Sequence, residues 1–260
     1  NDSGTDNTVF GFDAGAAGLS GGTDNVIIGD VAGYAMTASD NNVVIGAGAL
    51  RYATTDAHNN IAIGSAAMGG NWTTADVNNC TVIGYSAMSG VLTTGATGNV
   101  AIGYNGLGNV TSGGGNTGIG FDTGSTNQTG ANNTYVGYQS GKGGSGSESS
   151  NTAVGKDALL SITTGSENVI VGQLAGDAIT DGVSNTGIGK GALGATVSGT
   201  SMVGVGQGAI GGGNTTAAAI GTIAIGMDSL YLLTEGIGNV AIGFQAMDAE
   251  DDGDFNTAVG

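Results

Sequence analysis

The segment Asn99-Val100-Ala101-Ile102-Gly103 decides the reading of this chain, because it returns with small changes from one end to the other. Asn60-Ile61-Ala62-Ile63-Gly64 and Asn239-Val240-Ala241-Ile242-Gly243 are near copies, and Asn256-Thr257-Ala258-Val259-Gly260 is a looser one. The closing glycine falls at Gly11, Gly29, Gly46, Gly64, Gly84, Gly103, Gly120, Gly137, Gly155, Gly172, Gly189, Gly206, Gly226, Gly243 and Gly260. These are fifteen copies at spacings of 17 to 20 residues. Such a period marks an array of stacked units, none of which can bury its apolar face alone.

Counting from the closing glycine turns the repeat into columns. The residue one before it is Ile or Val in fourteen copies and Phe10 in the other; the residue three before it is always Val, Ile or Thr. In an extended segment these two columns share one face, which we assign to the interior. The residue between them runs from Val9 and Ile27 through Ala101 and Gly118 to Tyr135 and is never charged. That opposite face is therefore expected to be covered as well, by neighbouring copies of the chain. Four before the glycine stands Asn in twelve copies: Asn7, Asn25, Asn42, Asn60, Asn99, Asn116, Asn133, Asn151, Asn168, Asn185, Asn239 and Asn256. Cys80, Met202 and Thr222 replace it elsewhere. Stacked at one corner, these amides are expected to form a hydrogen-bonded ladder. Three after the glycine the residue is always small, and the next is usually Gly or a long aliphatic such as Leu50, Met88 or Leu159. A second short strand or a bend is expected there, followed by surface turns such as Thr93-Thr94-Gly95.

A four-residue strand cannot hold a sheet, but strands recurring at this period can pair in register with the coils before and after them. The expected fold is all-β, a parallel β-solenoid of about fifteen coils that occupies residues 1–260 as a single repetitive domain. The 55 Gly and the complete lack of Pro agree, since a proline inside the stack would remove a ladder donor. Four cations (Arg51, Lys142, Lys156 and Lys190) stand against 21 acids, for a formal net charge of -17. Such a surface repels phosphate backbones and anionic membranes, so no nucleic-acid partner is expected. No apolar run reaches the length that spans a bilayer. The lone Cys80 excludes an intrachain disulfide. The chain opens at Asn1 rather than Met and is expected to be a piece of a longer fibre protein.

The Asn-Val-Ala-Ile-Gly copies resemble the head repeat of YadA-like trimeric autotransporter adhesins. Asn151-Thr152-Ala153-Val154-Gly155 and its relatives, with Thr-Thr-Gly turns between them, are similar to the repeats of bacteriophage tail-fibre proteins. The resemblance covers the whole chain. It implies a left-handed parallel β-roll, three chains side by side as a homotrimer, and a role in adhesion to a host-surface glycan or protein receptor. The localisation it implies is extracellular, on a cell surface or a virion.

Catalysis needs a poised group with an orienting partner, and the single histidine, His58, is expected in an exposed turn. Gly206-Gln207-Gly208-Ala209-Ile210-Gly211 fits a dinucleotide-binding pattern, but so Gly-rich a chain produces such matches by chance. No enzyme activity is expected. Asp248, Glu250, Asp252 and Gly253 follow the opening spacing of a calcium loop without its closing Glu, with Asp251 and Asp254 adjacent; the alternative is a solvated acidic turn, and calcium is the one cofactor considered. Gly143-Gly144-Ser145-Gly146-Ser147-Glu148 is loosely like a calcium-binding nonapeptide but occurs once, with Glu for Asp. The expanded coil ending at Gly84 carries Trp72, a candidate ligand contact. Phe12, Tyr85, Tyr104, Phe121, Tyr138 and Phe244 share the column after the glycine and are expected to stack. The leading expectation is a non-enzymatic fibrous shaft for attachment or spacing. One rival is an ice-binding solenoid, because seven copies carry Thr three before the glycine. The other is a glycan-cleaving tailspike.

Overall fold

The computed structural model describes residues 4–53, 57–71, 76–144, 146–217 and 219–260. Among them every regular element is a three-residue β-strand, and no helix occurs that could cross a membrane. The chain divides into two units, Asn1–Asn132 and Asn133–Gly260. The first holds β1 (Thr8–Phe10), β2 (Val26–Ile28), β3 (Val43–Ile45), β4 (Ile61–Ile63), β5 (Thr81–Ile83), β6 (Val100–Ile102) and β7 (Thr117–Ile119). The second holds β8 (Thr134–Val136), β9 (Thr152–Val154), β10 (Val169–Val171), β11 (Thr186–Ile188), β12 (Val203–Val205), β13 (Ile223–Ile225), β14 (Val240–Ile242) and β15 (Thr257–Val259).

Within each unit every strand pairs in parallel with the next in sequence, without crossover. Val100 lies opposite Thr117 in the first unit, and Ala153 opposite Ile170 in the second. This is a parallel β-solenoid, one strand per coil. Hydrogen bonds link successive coils beyond the strands as well: the Gly46 N–H donates to the Ile28 carbonyl at 2.8 Å, and Gly172 N–H to the Val154 carbonyl at 2.8 Å.

The faces of the strands are the reverse of the sequence expectation. The central residue of each internal strand is buried, as Ile27, Ala101, Tyr135 and Ile170 show, while the residues on either side are partly or largely exposed. The Ile/Val column and the Val/Ile/Thr column therefore point outward, and Ile102 is not a core residue. The physical reason is the small cross-section of the coil. Its interior is already filled by the strand centre, the small residue three after the glycine and the aliphatic that follows, such as Ala49 and Leu50 or Ala158 and Leu159, all fully buried.

Volume is matched across that interior. Where the strand centre is large, as Ile27, Tyr135 and Ile170, the facing position is Gly33, Gly141 or Gly176; where it is Ala101, Ala153 or Gly187, the facing position is Leu107, Leu159 or Leu193. A Cβ on Gly33 would lie 3.3 Å from Ile27 Cδ1, and one on Gly141 would enter the Tyr135 ring. This compensation favours a uniform coil cross-section at interior packing density, although Val44 with Leu50 and Val82 with Met88 bury two larger residues in the same columns. The last coil of the first unit departs from the rule, with Gly118 and Gly124 both small and Thr123, Ser125 and Asn127 buried beside them.

The closing glycine has two reasons to be invariant. At Gly155 φ is +136°, and a Cβ there would sit 2.6 Å from the carbonyl oxygen of Gly172 in the following coil. Neither the backbone conformation nor the space admits a side chain.

The Asn column lies inside each unit as a chain of amides. Asn42 takes two bonds to Asn25 Oδ1, from its N–H and its Nδ2, both 3.0 Å, and a further Nδ2 bond reaches the Ala57 carbonyl at 2.7 Å. Asn168 repeats this with Asn151 and Gly182, and Asn185 with Asn168 and Gly199. The substitutes keep part of the scheme. Cys80 N–H donates to Asn60 Oδ1 and its thiol to the Ala96 carbonyl, while Thr222 Oγ1 donates to the Gly236 carbonyl and accepts from Asn239 N–H. A buried amide is tolerated because its donors and acceptor are engaged.

Candidate functional site

The outward strand face is a surface repeated from coil to coil. Ile61, Ile119, Val169, Ile188, Ile225 and Ile242 are 37–43% exposed on it. Alternating with them on the same face are Thr8, Thr81, Thr117, Thr134, Thr152, Thr186 and Thr257. The inward Thr column expected from sequence is corrected by this arrangement. Next to the face, Tyr85 and Tyr104 stack with ring centroids 5.6 Å apart, and Tyr104 and Phe121 4.8 Å apart, with planes within 9°. These three rings are exposed rather than part of the core. Of the other aromatics in the column, Tyr138 lies under the Lys156 ammonium, 5.8 Å from ring centroid to Nζ, and Phe12 and Phe244 are exposed.

The turn after each strand carries a second surface. In the second unit it opens into a groove of about 390 Å³ between Asp228, Tyr231, Leu232, Gln245, Asp248 and Ala249. A shallower extension of about 210 Å³ shares Asp228 and Tyr231 and runs past Gln207 to Lys190. Sequence reading missed this groove; its extension is bordered by Gly191, Gly208 and Gly211, which stand in columns that carry larger residues elsewhere.

The acidic residues expected to hold calcium are divided by the structure. Glu250, Asp251 and Asp252 each offer an oxygen within 4.8 Å of the others, the geometry a cation needs. Glu250 Oε1 already accepts the Gly253 N–H at 2.8 Å, and Asp254 Oδ1 accepts that of Ile237 at 2.8 Å. Asp248 lines the groove instead. Trp72 lies outside the described residues. His58 is partly covered rather than an exposed turn residue: its Nδ1 accepts the Asp40 N–H at 3.1 Å, 3.3 Å from the Asp40 carboxylate. Burial pushes the Cys80 thiol up to about 11, so it is a packed donor and not a nucleophile at neutral pH.

One buried charge site was also missed. Glu148 stands seven before a closing glycine, a column that elsewhere holds only Gly, Ala, Ser39 or Val77. Its side chain is fully buried and neither carboxyl oxygen has a hydrogen-bond partner. Burial raises its pKa from 4.5 to about 7. The buried Tyr135 hydroxyl, also unpartnered, has its own pKa raised, first by burial and then by the charge on Glu148.

No protein-family model, curated protein or solved structure matches the chain. Its function is therefore argued from these surfaces.

Proposed function

We propose that the chain is a non-enzymatic structural and adhesive protein: a left-handed β-roll whose copies join as a homotrimer into a shaft for attachment or spacing, on a cell or virion surface outside the cell. The observation that carries this reading is the outward column of Ile and Val, broken only by Phe10 and partly or largely exposed along the single chain. A stripe of this kind on a monomer marks an interaction surface. Sealing each Ile or Val contributes on the order of 1 kcal/mol, so the sum over many coils is large although each coil is weak. Sheet faces buried on both sides read as near-continuous apolar runs, which is the pattern of these strands. The likeness of the Asn-Val-Ala-Ile-Gly copies to trimeric adhesin and tail-fibre repeats supports the number three and the left hand.

A second reading has one observation in its favour. Seven outward threonines stand in one column, as on an ice-binding surface, although Val or Ile interrupts them in the other eight coils. The neighbouring outward column is Ile, Val or Phe10 without exception, so the face as a whole is apolar and suits a partner sheet better than ordered water. Light scattering on the purified chain tests the choice. A mass about three times 24.8 kDa supports the trimer. A monomer that shows thermal hysteresis overturns it in favour of ice binding, and a monomer without hysteresis overturns both.

A further inference from the structure

We infer that the groove around Tyr231 is a binding site for a neutral saccharide. The inference builds on the reading of the chain as an attachment element by naming the ligand class, but it uses the turns and not the outward strand face. Tyr231 is 39% exposed. Its ring lies against the Gly212 backbone, where an added Cβ would meet Cδ1 at 2.7 Å. One side of the ring thus rests on the neighbouring coil, which limits the side-chain freedom lost on binding. An aromatic face carries a negative quadrupole that attracts the C–H bonds lining the apolar face of a pyranose ring.

The polar groups around it are unspent. Asp228, Asp248, Gln245, Gln207 and Lys190 border the groove and its extension, and among the described residues none of these side chains makes a hydrogen bond or ion pair. Some surface groups elsewhere are engaged, as where Asn105 donates to Asp122 and Asp254 accepts from Ile237, while others such as Asp13, Asp30 and Gln173 are as open as these; what sets the groove apart is that several such groups surround one aromatic ring. Carboxylates only accept, amides accept and donate, and together they suit adjacent hydroxyls, each of which both donates and accepts. Leu232 and Ala249 add apolar wall, giving the mixture of apolar lining and a few convergent polar groups that small-molecule sites share. Two carboxylates against one lysine, on a chain of net charge -17, disfavour anionic sugars.

The test titrates the intact chain with cellobiose, lactose and chitobiose, and with N-acetylneuraminic acid as the anionic comparison, by calorimetry and saturation-transfer NMR. At least one neutral disaccharide is expected to bind in the millimolar range or tighter. Tyr231→Ala should weaken it about tenfold or more, as loss of a central aromatic does. Tyr34→Ala removes the exposed ring at the same repeat position in the other unit and should leave binding unchanged. Asp228→Asn, which keeps the shape of the side chain, should also weaken binding if the Tyr231 variant fails to fold. Absence of binding to all three neutral sugars, retention in both Tyr231→Ala and Asp228→Asn, or tighter binding of the anionic sugar would each overturn the site. None of these results bears on the oligomeric mass, so failure of the site and failure of the trimer are read separately.

Discussion

Replacing Glu148 by Gln removes a charge that the fold has no means of solvating. In the second unit this carboxyl is fully buried, and both of its oxygens lack partners. Its pKa rises from 4.5 to about 7 because burial penalises the ionised form. A raised carboxyl pKa means that the folded chain holds the proton more tightly than the unfolded chain. Below about pH 4.5 both states are protonated and nothing is lost. Between 4.5 and about 7 the unfolded state ionises first and stability falls as pH rises; above 7 the loss is complete. The gap between the two values corresponds to about 3 kcal/mol. Asp177 has its pKa raised in the same direction, mainly by burial, but it is present in both proteins and cancels in their difference. Chemical denaturation followed by circular dichroism at pH 4, 6 and 8 measures that difference. Glu148→Gln should match the parent at pH 4 and exceed it by about 3 kcal/mol at pH 8. A stability difference that does not change with pH would refute the reasoning.

Three further outcomes follow from the fold. Gly155→Ala places a Cβ at φ +136° and 2.6 Å from the Gly172 carbonyl oxygen, and should destabilise the chain by about 2 kcal/mol or more in a denaturant melt. Asn168→Ala removes the Nδ2 donor to Asn151 Oδ1 and the Gly182 carbonyl and the Oδ1 acceptor for Asn185, while Asn151 Oδ1 keeps the backbone N–H of residue 168; with the Gly182 carbonyl and the Asn185 donors left unmatched, it should cost about 3 kcal/mol by the same assay, since each orphaned buried group costs roughly 1–3. Cys80, buried and with its thiol raised to about 11, should resist a thiol reagent at pH 7.5 in the folded chain and react fully once it is unfolded; rapid labelling of the native chain would contradict its place in the ladder column.

The architecture was legible because it is written fifteen times in phase. Period, strand position and the Asn column all follow from counting back from one glycine. The inward face was not legible from hydropathy, since all three strand positions are apolar or Thr and period-two alternation has nothing polar to mark the outside. A better signal lay in volumes: Tyr135 with Gly141, Ile170 with Gly176, and Ala153 with Leu159 compensate one another, as only residues sharing a core must. Glu148 was obscured because Gly143 to Glu148 was read as a motif, whereas its column, small in every other coil, identifies it as an interior charge. The groove was hidden for a different reason. Tyr231, Gln245 and Gln207 come from different coils, and the extension from Tyr231 to Gln207 is bordered by glycines whose lack of a side chain carries no chemical signal.

The central claim is that strand centres fill the coil while their flanking residues join copies, and a pair of adjacent substitutions tests it most directly. Ala101→Asp and Ile102→Asp are compared by circular dichroism and light scattering. The account predicts that Ala101→Asp destroys the β spectrum by burying an unpaired charge, whereas Ile102→Asp keeps the spectrum and makes the three-chain assembly dissociate at a higher protein concentration than the parent. A folded Ala101→Asp protein beside an unfolded Ile102→Asp protein would contradict it.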